Sequence, residues 1–202
     1  MSVTKVLYSF LILALILVTL PFQGVVALLV ILTSGFPVLF AQRRMGIHGR
    51  PFLMYKFRTM DTDAESWKRK YMHLNESKGP VFKIHNDPRF VGIGKFLSHT
   101  GIDELPQLWN VLHGDMALIG PRPLPMSEAK KLESWMLERH SVIPGIISPA
   151  ILTGKYHKNF DAWMKSDIAY VRSKSAGTDI PLFFNFFRFL ILLLLREFKR
   201  KT

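Results

Sequence analysis

The chain opens on an apolar run longer than any soluble helix requires. From Val6 to Ala41 no residue is charged, and Gln23 is the most polar side chain. One helical crossing of a bilayer takes roughly 20 residues, and this run has 36. It is also too long for the apolar core of a signal peptide, and the Gln42-Arg43-Arg44 that follows is no small-residue cleavage site. Two arrangements satisfy the pattern. One is a pair of short crossings turning near Pro21 to Gly24; the other is a single long helix, bent at Pro21, that enters one leaflet and leaves by the same face. Proline interrupts the hydrogen-bond ladder and kinks a helix, so both are physically open. Both put Lys5 and the Arg43-Arg44 pair on one side, and basic residues at membrane ends mark the cytoplasm. Residues 1–41 therefore read as a membrane anchor, and 42–202 as a cytoplasmic domain.

Beyond the anchor the period changes. VLFAQRRMGIHGRPFLMYKFRT reads as two apolar-biased strands around His48-Gly49, a hairpin just below the membrane. Lys56 and Arg58 alternate with Tyr55 and Phe57, which puts them on one strand face, holding a phosphate or facing solvent. DTDAESWKRKYMHLNE then predicts a helix, with Asp61 or Thr62 as N-cap and Glu65 completing a capping box. Capping explains Asp61 and Asp63 better than metal ligation does. Lys78-Gly79-Pro80 ends that helix, and Asn86-Asp87-Pro88-Arg89 is a turn. Leu105, Leu108, Trp109 and Leu112 recur at helical spacing, with Pro106 in the first turn and Gly114 as the stop. The terminal IPLFFNFFRFLILLLLREFKRK is short for a crossing and carries Asn185 and Arg188, so an interfacial helix over about 180–200 is expected. Trp135 and Trp163 read as core packing.

Composition narrows the partner. The 202 residues carry a net charge of +12 and no cysteine, excluding disulfides and thiolate metal sites. Basic charge alone would fit nucleic acid, but no recognition helix or RNA-binding signature is present. Mean hydropathy is +0.17, and with that much apolar surface the lipid bilayer is the fitting partner. No Asp or Glu precedes Asp61, whereas Arg43, Arg44, Arg50, Lys56 and Arg58 crowd one stretch. Arg43 and Arg44 read first as contacts to anionic headgroups.

In a chain so short of acid, the adjacent Asp103 and Glu104 stand out. At a helix start, backbone N–H groups favour negative charge and would keep a carboxylate ionised; they also favour phosphate. A plain N-cap has the same sequence. Arg122, between two prolines in GDMALIGPRP, has a stiff backbone and a pre-aimed fork of donors. A surface charge in a turn would look no different. The three groups together point to phosphoryl chemistry.

The segment GPVFKIHNDPRFVGIGKFLSHTGIDELPQLWNVLHGDMALIGPRP resembles the signature region of the bacterial sugar transferases, the monotopic phosphoglycosyl transferases. KFRTM, DPR, DELPQL, N-V-L-x-G-D-M and GPRP stand in that family's order and spacing, as does Gln42-x-Arg44-x-Gly46. The resemblance implies transfer of a sugar phosphate from a UDP-sugar to polyprenyl phosphate, at the cytoplasmic face of the bacterial inner membrane, beginning a surface glycan. It implies Asp103 as nucleophile, with an aspartyl phosphosugar intermediate and release of UMP, and ping-pong kinetics. Glu104 would support the metal or the acceptor step. Mg2+ is the implied cofactor, contacting Asp103. Lys56, Arg122 and Asp167 match positions assigned to substrate-phosphate binding. The family's anchor is a re-entrant helix broken at a Ser-Pro pair; Pro21 matches the proline, and Leu20 replaces the serine.

Other positions depart from the family. Ser98 stands where an arginine is usual, and Gly101 where a serine is. IPGIISPAILTGK carries Ile143, Ser148, Pro149, Ile151 and Lys155 in place of typical residues. His99 and Lys155 are the nearby groups able to replace the lost charges. The departures motivate an alternative, an impaired relative acting as a membrane scaffold. Downstream glycosyltransferases or a second copy of the chain would be further partners. The expected architecture is α+β and mostly helical: a re-entrant anchor, a small β-hairpin, and a compact catalytic domain with interfacial amphipathic helices.

Overall fold

The computed structural model describes residues 3–77, 79–154 and 159–199, without the side chains of 3, 194 and 196–199. Lys155 and Lys78 lie outside the described residues. The described residues are mostly helical, with two small sheets of two strands each among them.

The apolar run forms one helix, α1 (Val3–Ser34), with Pro21 inside it. The chain does not reverse at Pro21 to Gly24, so the paired-crossing arrangement is not formed, and the helix is not interrupted at the proline. Ile12, Ile16, Val26 and Val30 are buried on one stripe. Ile12 and Ile16 pack with Met54, Leu108, Val111 and Met116, and Val26 and Val30 with Phe57 and Leu97. Between them Gln23 is buried, donating to the Thr19 hydroxyl at 3.0 Å. Other faces of α1 leave Leu7, Phe10, Leu17, Val18 and Leu32 exposed. Both ends of α1 are held by the rest of the chain. The Tyr8 hydroxyl accepts from the Leu118 N–H at 3.1 Å, and Arg58 caps the last carbonyls.

The expected hairpin is present. Strands β1 (Leu39–Met45) and β2 (Pro51–Phe57) pair antiparallel, with Phe40 opposite Lys56 and Arg44 opposite Phe52. His48 and Gly49 both take positive φ, 53° and 75°, as a tight reversal of right-twisted strands requires. The strand ends at Phe57, which separates Arg58 from Lys56. Arg58 is buried and donates to the carbonyls of Ser34, of Gly35 at 2.7 Å and of Pro37 at 2.7 Å. The shared face expected for the two residues is not formed.

Residues 61–76 do not form the expected helix. They make turns with two short 3-10 pieces, Ser66–Lys68 and Met72–Leu74. Asp61 Oδ1 takes the Asp63 N–H at 3.0 Å, and the Ser66 hydroxyl donates to the Asp63 carbonyl at 2.7 Å. Short polar side chains here compete with the helical ladder for backbone groups. The DPR turn is a buried clamp: Arg89 pairs with Asp87 at 2.7 Å and donates to the Ala64 carbonyl at 2.9 Å.

Helix α2 (Gly94–Thr100) ends at Gly101, in the left-handed conformation. A 3-10 turn, Ile102–Glu104, leads through Pro106 into α3 (Gln107–His113). Strand β3 (Ala117–Ile119) runs parallel to β4 (Gly145–Ile147), with α4 (Met126–Ala129) between them in sequence. Gly145 presses on Gly120 so closely that a Cβ would lie 2.0 Å from the Gly120 nitrogen. The chain continues through α5 (Pro149–Leu152), α6 (Phe160–Ser173) and α7 (Ala176–Lys199). Trp163 is core, packed with Phe160 and Met164. Trp135 is not; it is 40% exposed and donates to Glu133 at 2.8 Å. Helix α7 leaves Ile180, Phe184, Phe187 and Ile191 exposed. Two helical stretches, Thr4–Ser34 and Ala176–Leu193, are long and apolar enough to cross a membrane.

Candidate active site

Three segments converge on the carboxylate pair. The turn before α3 carries Asp103 and Glu104, β2 supplies Lys56, and the rigid GPRP turn after β3 supplies Arg122. Asn110 joins the first two. Buried on α3, it accepts the Tyr55 N–H at 3.1 Å and donates to the Leu53 carbonyl at 2.7 Å, completing the free edge of β2 beside Lys56.

Lys56 Nζ lies 3.9 Å from Asp103 Oδ2, and Arg122 Nη2 lies 2.7 Å from Glu104 Oε1. Asp103 is 3% exposed, and its Oδ1 has no hydrogen-bond partner among the described residues. The carboxylate therefore does not act as an N-cap, and α3 begins only after Pro106. Its environment also reverses the expected low pKa. Burial, reinforced by the Glu104 charge, pushes Asp103 up to about 7, against the pull of Lys56 and Arg122. Burial would raise Glu104 too, but the Arg122 ion pair holds it below the usual carboxylate range. Burial lowers Lys56, opposed by Asp103.

Asp167 connects to these groups through Arg139. It is fully buried, paired with Arg139 at 2.7 Å. Arg139 in turn donates to the Arg122 carbonyl at 2.6 Å. Its link to the site runs through the backbone of the GPRP turn. Arg44, expected at lipid headgroups, points inward and donates to the Pro123 carbonyl at 2.9 Å, bracing the same turn. Arg139 carried no sequence signal beyond its charge. Lys83 gives no more signal than Arg139. Burial and the nearby Arg122 charge push its pKa down to about 8, placing it within electrostatic reach of the site. His99 stacks on His85 and lies 3.0 Å from the His85 carbonyl.

Mg2+ fits this donor set. The buried Asp103 carboxylate offers hard oxygen donors, with Glu104 beside it. No group of three or more carboxylates and histidines surrounds a common point among the described residues. Mg2+ accepts such a site because it retains waters and takes substrate phosphate oxygens as ligands.

A buried carboxylate with an unpartnered oxygen, two cations and a turn fixed from behind make an arrangement suited to binding and attacking a phosphate. The chain belongs to the bacterial sugar transferase family, whose model matches residues 2–192. It is similar to the galactosyl transferase CpsE of Streptococcus agalactiae, 41% identical over 163 residues, 79% of this chain and 36% of that protein. The sugar transferase EpsL of Bacillus subtilis is 36% identical over 151 residues, 75% of this chain and 68% of EpsL. The UDP-glucose:undecaprenyl-phosphate glucose-1-phosphate transferase of Escherichia coli is 34% identical over 168 residues, 79% of this chain and 34% of that enzyme. The chain thus spans about a third of the length of two of these relatives and two thirds of EpsL.

Proposed function

We propose that the chain is a phosphoglycosyl transferase that moves a sugar 1-phosphate from a UDP-sugar to a polyprenyl phosphate at the cytoplasmic face of the bacterial inner membrane. The observation that carries this reading is the unpartnered, buried Oδ1 of Asp103 between Lys56 and the Glu104–Arg122 pair. That oxygen is free to form a bond to the sugar-bearing phosphorus. The pyrophosphate P–O bond breaks, and UMP departs with the electron pair. A phosphate oxygen of the lipid acceptor then attacks the same phosphorus, and the acyl phosphate bond breaks to restore the carboxylate. Lys56 and Arg122 balance the phosphate charge, while Lys56 keeps Oδ2 from competing as the attacking atom. When bound, Mg2+ would be held by Asp103, with Glu104 alongside, and would supply neutralisation of the pyrophosphate.

The anchor is read as re-entrant. Both ends of the helix are bound to one folded domain, at Tyr8–Leu118 and at Arg58–Ser34, which supports entry and exit by one face. Its exposed apolar faces, and those of α7, would sit in lipid.

The purified chain is to be incubated with Mg2+ and a panel of UDP-sugars without acceptor. UMP release with an intact-mass gain of one sugar phosphate is expected, absent in Asp103→Asn. No release with any donor would favour the scaffold alternative.

A further inference from the structure

We infer that Arg58 is a positioning residue for the acceptor half of the reaction, locking the exit of the membrane helix to the strand that carries Lys56. The inference rests on the transferase reading above.

Arg58 is 6% exposed, although arginine is seldom buried without a purpose. Its guanidinium gathers the carbonyls of Ser34, Gly35 and Pro37, and its own N–H donates to the Val38 carbonyl at 2.8 Å. These acceptors lie at and just beyond the end of α1, where the last carbonyls of a helix lack partners and carry partial negative charge. A planar fork of five donors suits several carbonyls at once; a lysine ammonium does not match that geometry.

Two residues earlier, Lys56 faces Asp103. The segment beyond Arg58 is tied down as well: Val91 donates to the Thr59 carbonyl at 3.1 Å, and Gly92 is packed against the side chains of Thr33 and Ser34. Arg58 is thus the polar joint between the lipid-facing helix and the catalytic strand. The nucleotide donor arrives from water and is met by Lys56, Arg122 and the carboxylates. The lipid acceptor arrives along the membrane, so its phosphate reaches the phosphorus only if α1 holds the domain at a fixed depth and tilt. Loosening the joint should leave the donor half-reaction intact and slow the acceptor half.

The 202-residue chain in nanodiscs separates the two. Without acceptor, the UMP burst reports adduct formation; adding undecaprenyl phosphate to the preformed adduct reports its discharge. For Arg58→Ala the burst is expected within about twofold of wild type, and the discharge slowed about tenfold or more, as for a small misplacement of reacting groups. Arg58→Lys should recover only part of the discharge rate. Because the chain lacks cysteine, a fluorophore at Val25→Cys, an exposed position on α1, reports depth through lipid-borne quenchers. Arg58→Ala should shift that depth. Equal slowing of both half-reactions, or an unchanged depth and discharge, would overturn the inference while leaving the transferase reading in place. A wild-type chain that forms no adduct sinks both.

Discussion

Arg122 Nη2 sits 2.7 Å from Glu104 Oε1, while the adjacent Asp103 has only a 3.9 Å approach from Lys56. Neighbours in sequence therefore carry different duties: one carboxylate is committed to an arginine, the other keeps an oxygen open. Removing Arg122 leaves the half-buried Glu104 beside Asp103 without its ion-pair partner. Arg122→Ala should lower kcat/KM by about 10- to 150-fold, the equivalent of one charge-assisted hydrogen bond of roughly 1.5–3 kcal/mol. Arg122→Lys should restore less than half of that loss, because the fork is gone. Steady-state kinetics with the best donor of the panel check this.

As the proposed nucleophile Asp103 has to be ionised, and burial holds it up at about 7. Adduct formation should therefore climb with pH through neutrality, at limiting Mg2+, and level off above it. Raising Mg2+ should move the midpoint to lower pH, since a cation favours the charged carboxylate. Burst rates measured at low and high Mg2+ across pH 5.5–8.5 test it, the range being about 1.5 units either side of that midpoint.

Behind the site, Asp167 and Arg139 are both buried, and Arg139 holds the Arg122 carbonyl. Asp167→Asn leaves a buried guanidinium without its counter-charge and should cost about 3–5 kcal/mol of stability. Chemical denaturation gives the loss. Substrate KM should rise with it as the GPRP turn loosens.

Asn110 satisfies two backbone groups of β2 at once. Asn110→Ala strands the Tyr55 N–H and Leu53 carbonyl, costing about 1–3 kcal/mol. Asn110→Asp should be little better, because a carboxylate cannot donate to the Leu53 carbonyl. Both should lower the adduct burst by shifting Lys56.

His140 is buried, and burial together with the Arg139 charge pushes its pKa down to about 4. An unfolded chain protonates its imidazole near pH 6.5. Between those values the unfolded state binds the extra proton, so this group's contribution to stability is complete above about pH 6.5 and is lost as pH falls towards 4. Thermal melts of wild type and His140→Gln should converge or cross on acidification from pH 7.5 to 5.

Where local pattern carries the fold, the sequence was a sound guide. Strand alternation and the His48-Gly49 reversal announce the hairpin, and the apolar run announces α1. The motifs that carry Asp103, Glu104, Lys56 and Arg122 meet in space. Positions governed by long-range burial were illegible. Nothing local says that Arg58 turns back to carbonyls 21 to 24 residues upstream, or that Arg139 claims Asp167 from 28 residues away. The 61–76 stretch failed for another reason. Asp61 has the chemistry of a cap, but its carboxylate takes the Asp63 N–H in an isolated turn, and the Ser66 hydroxyl bonds the Asp63 carbonyl.

The α1 stripe of Ile12, Ile16, Val26 and Val30 is itself a wall of the hydrophobic interior. Cutting the chain back to Gln42 would not free a water-loving enzyme from its tether. It would strip the lining from Met54, Leu108 and Leu97 and leave them open to the nearest greasy surface, so solubilising this protein demands a surfactant in place of scissors.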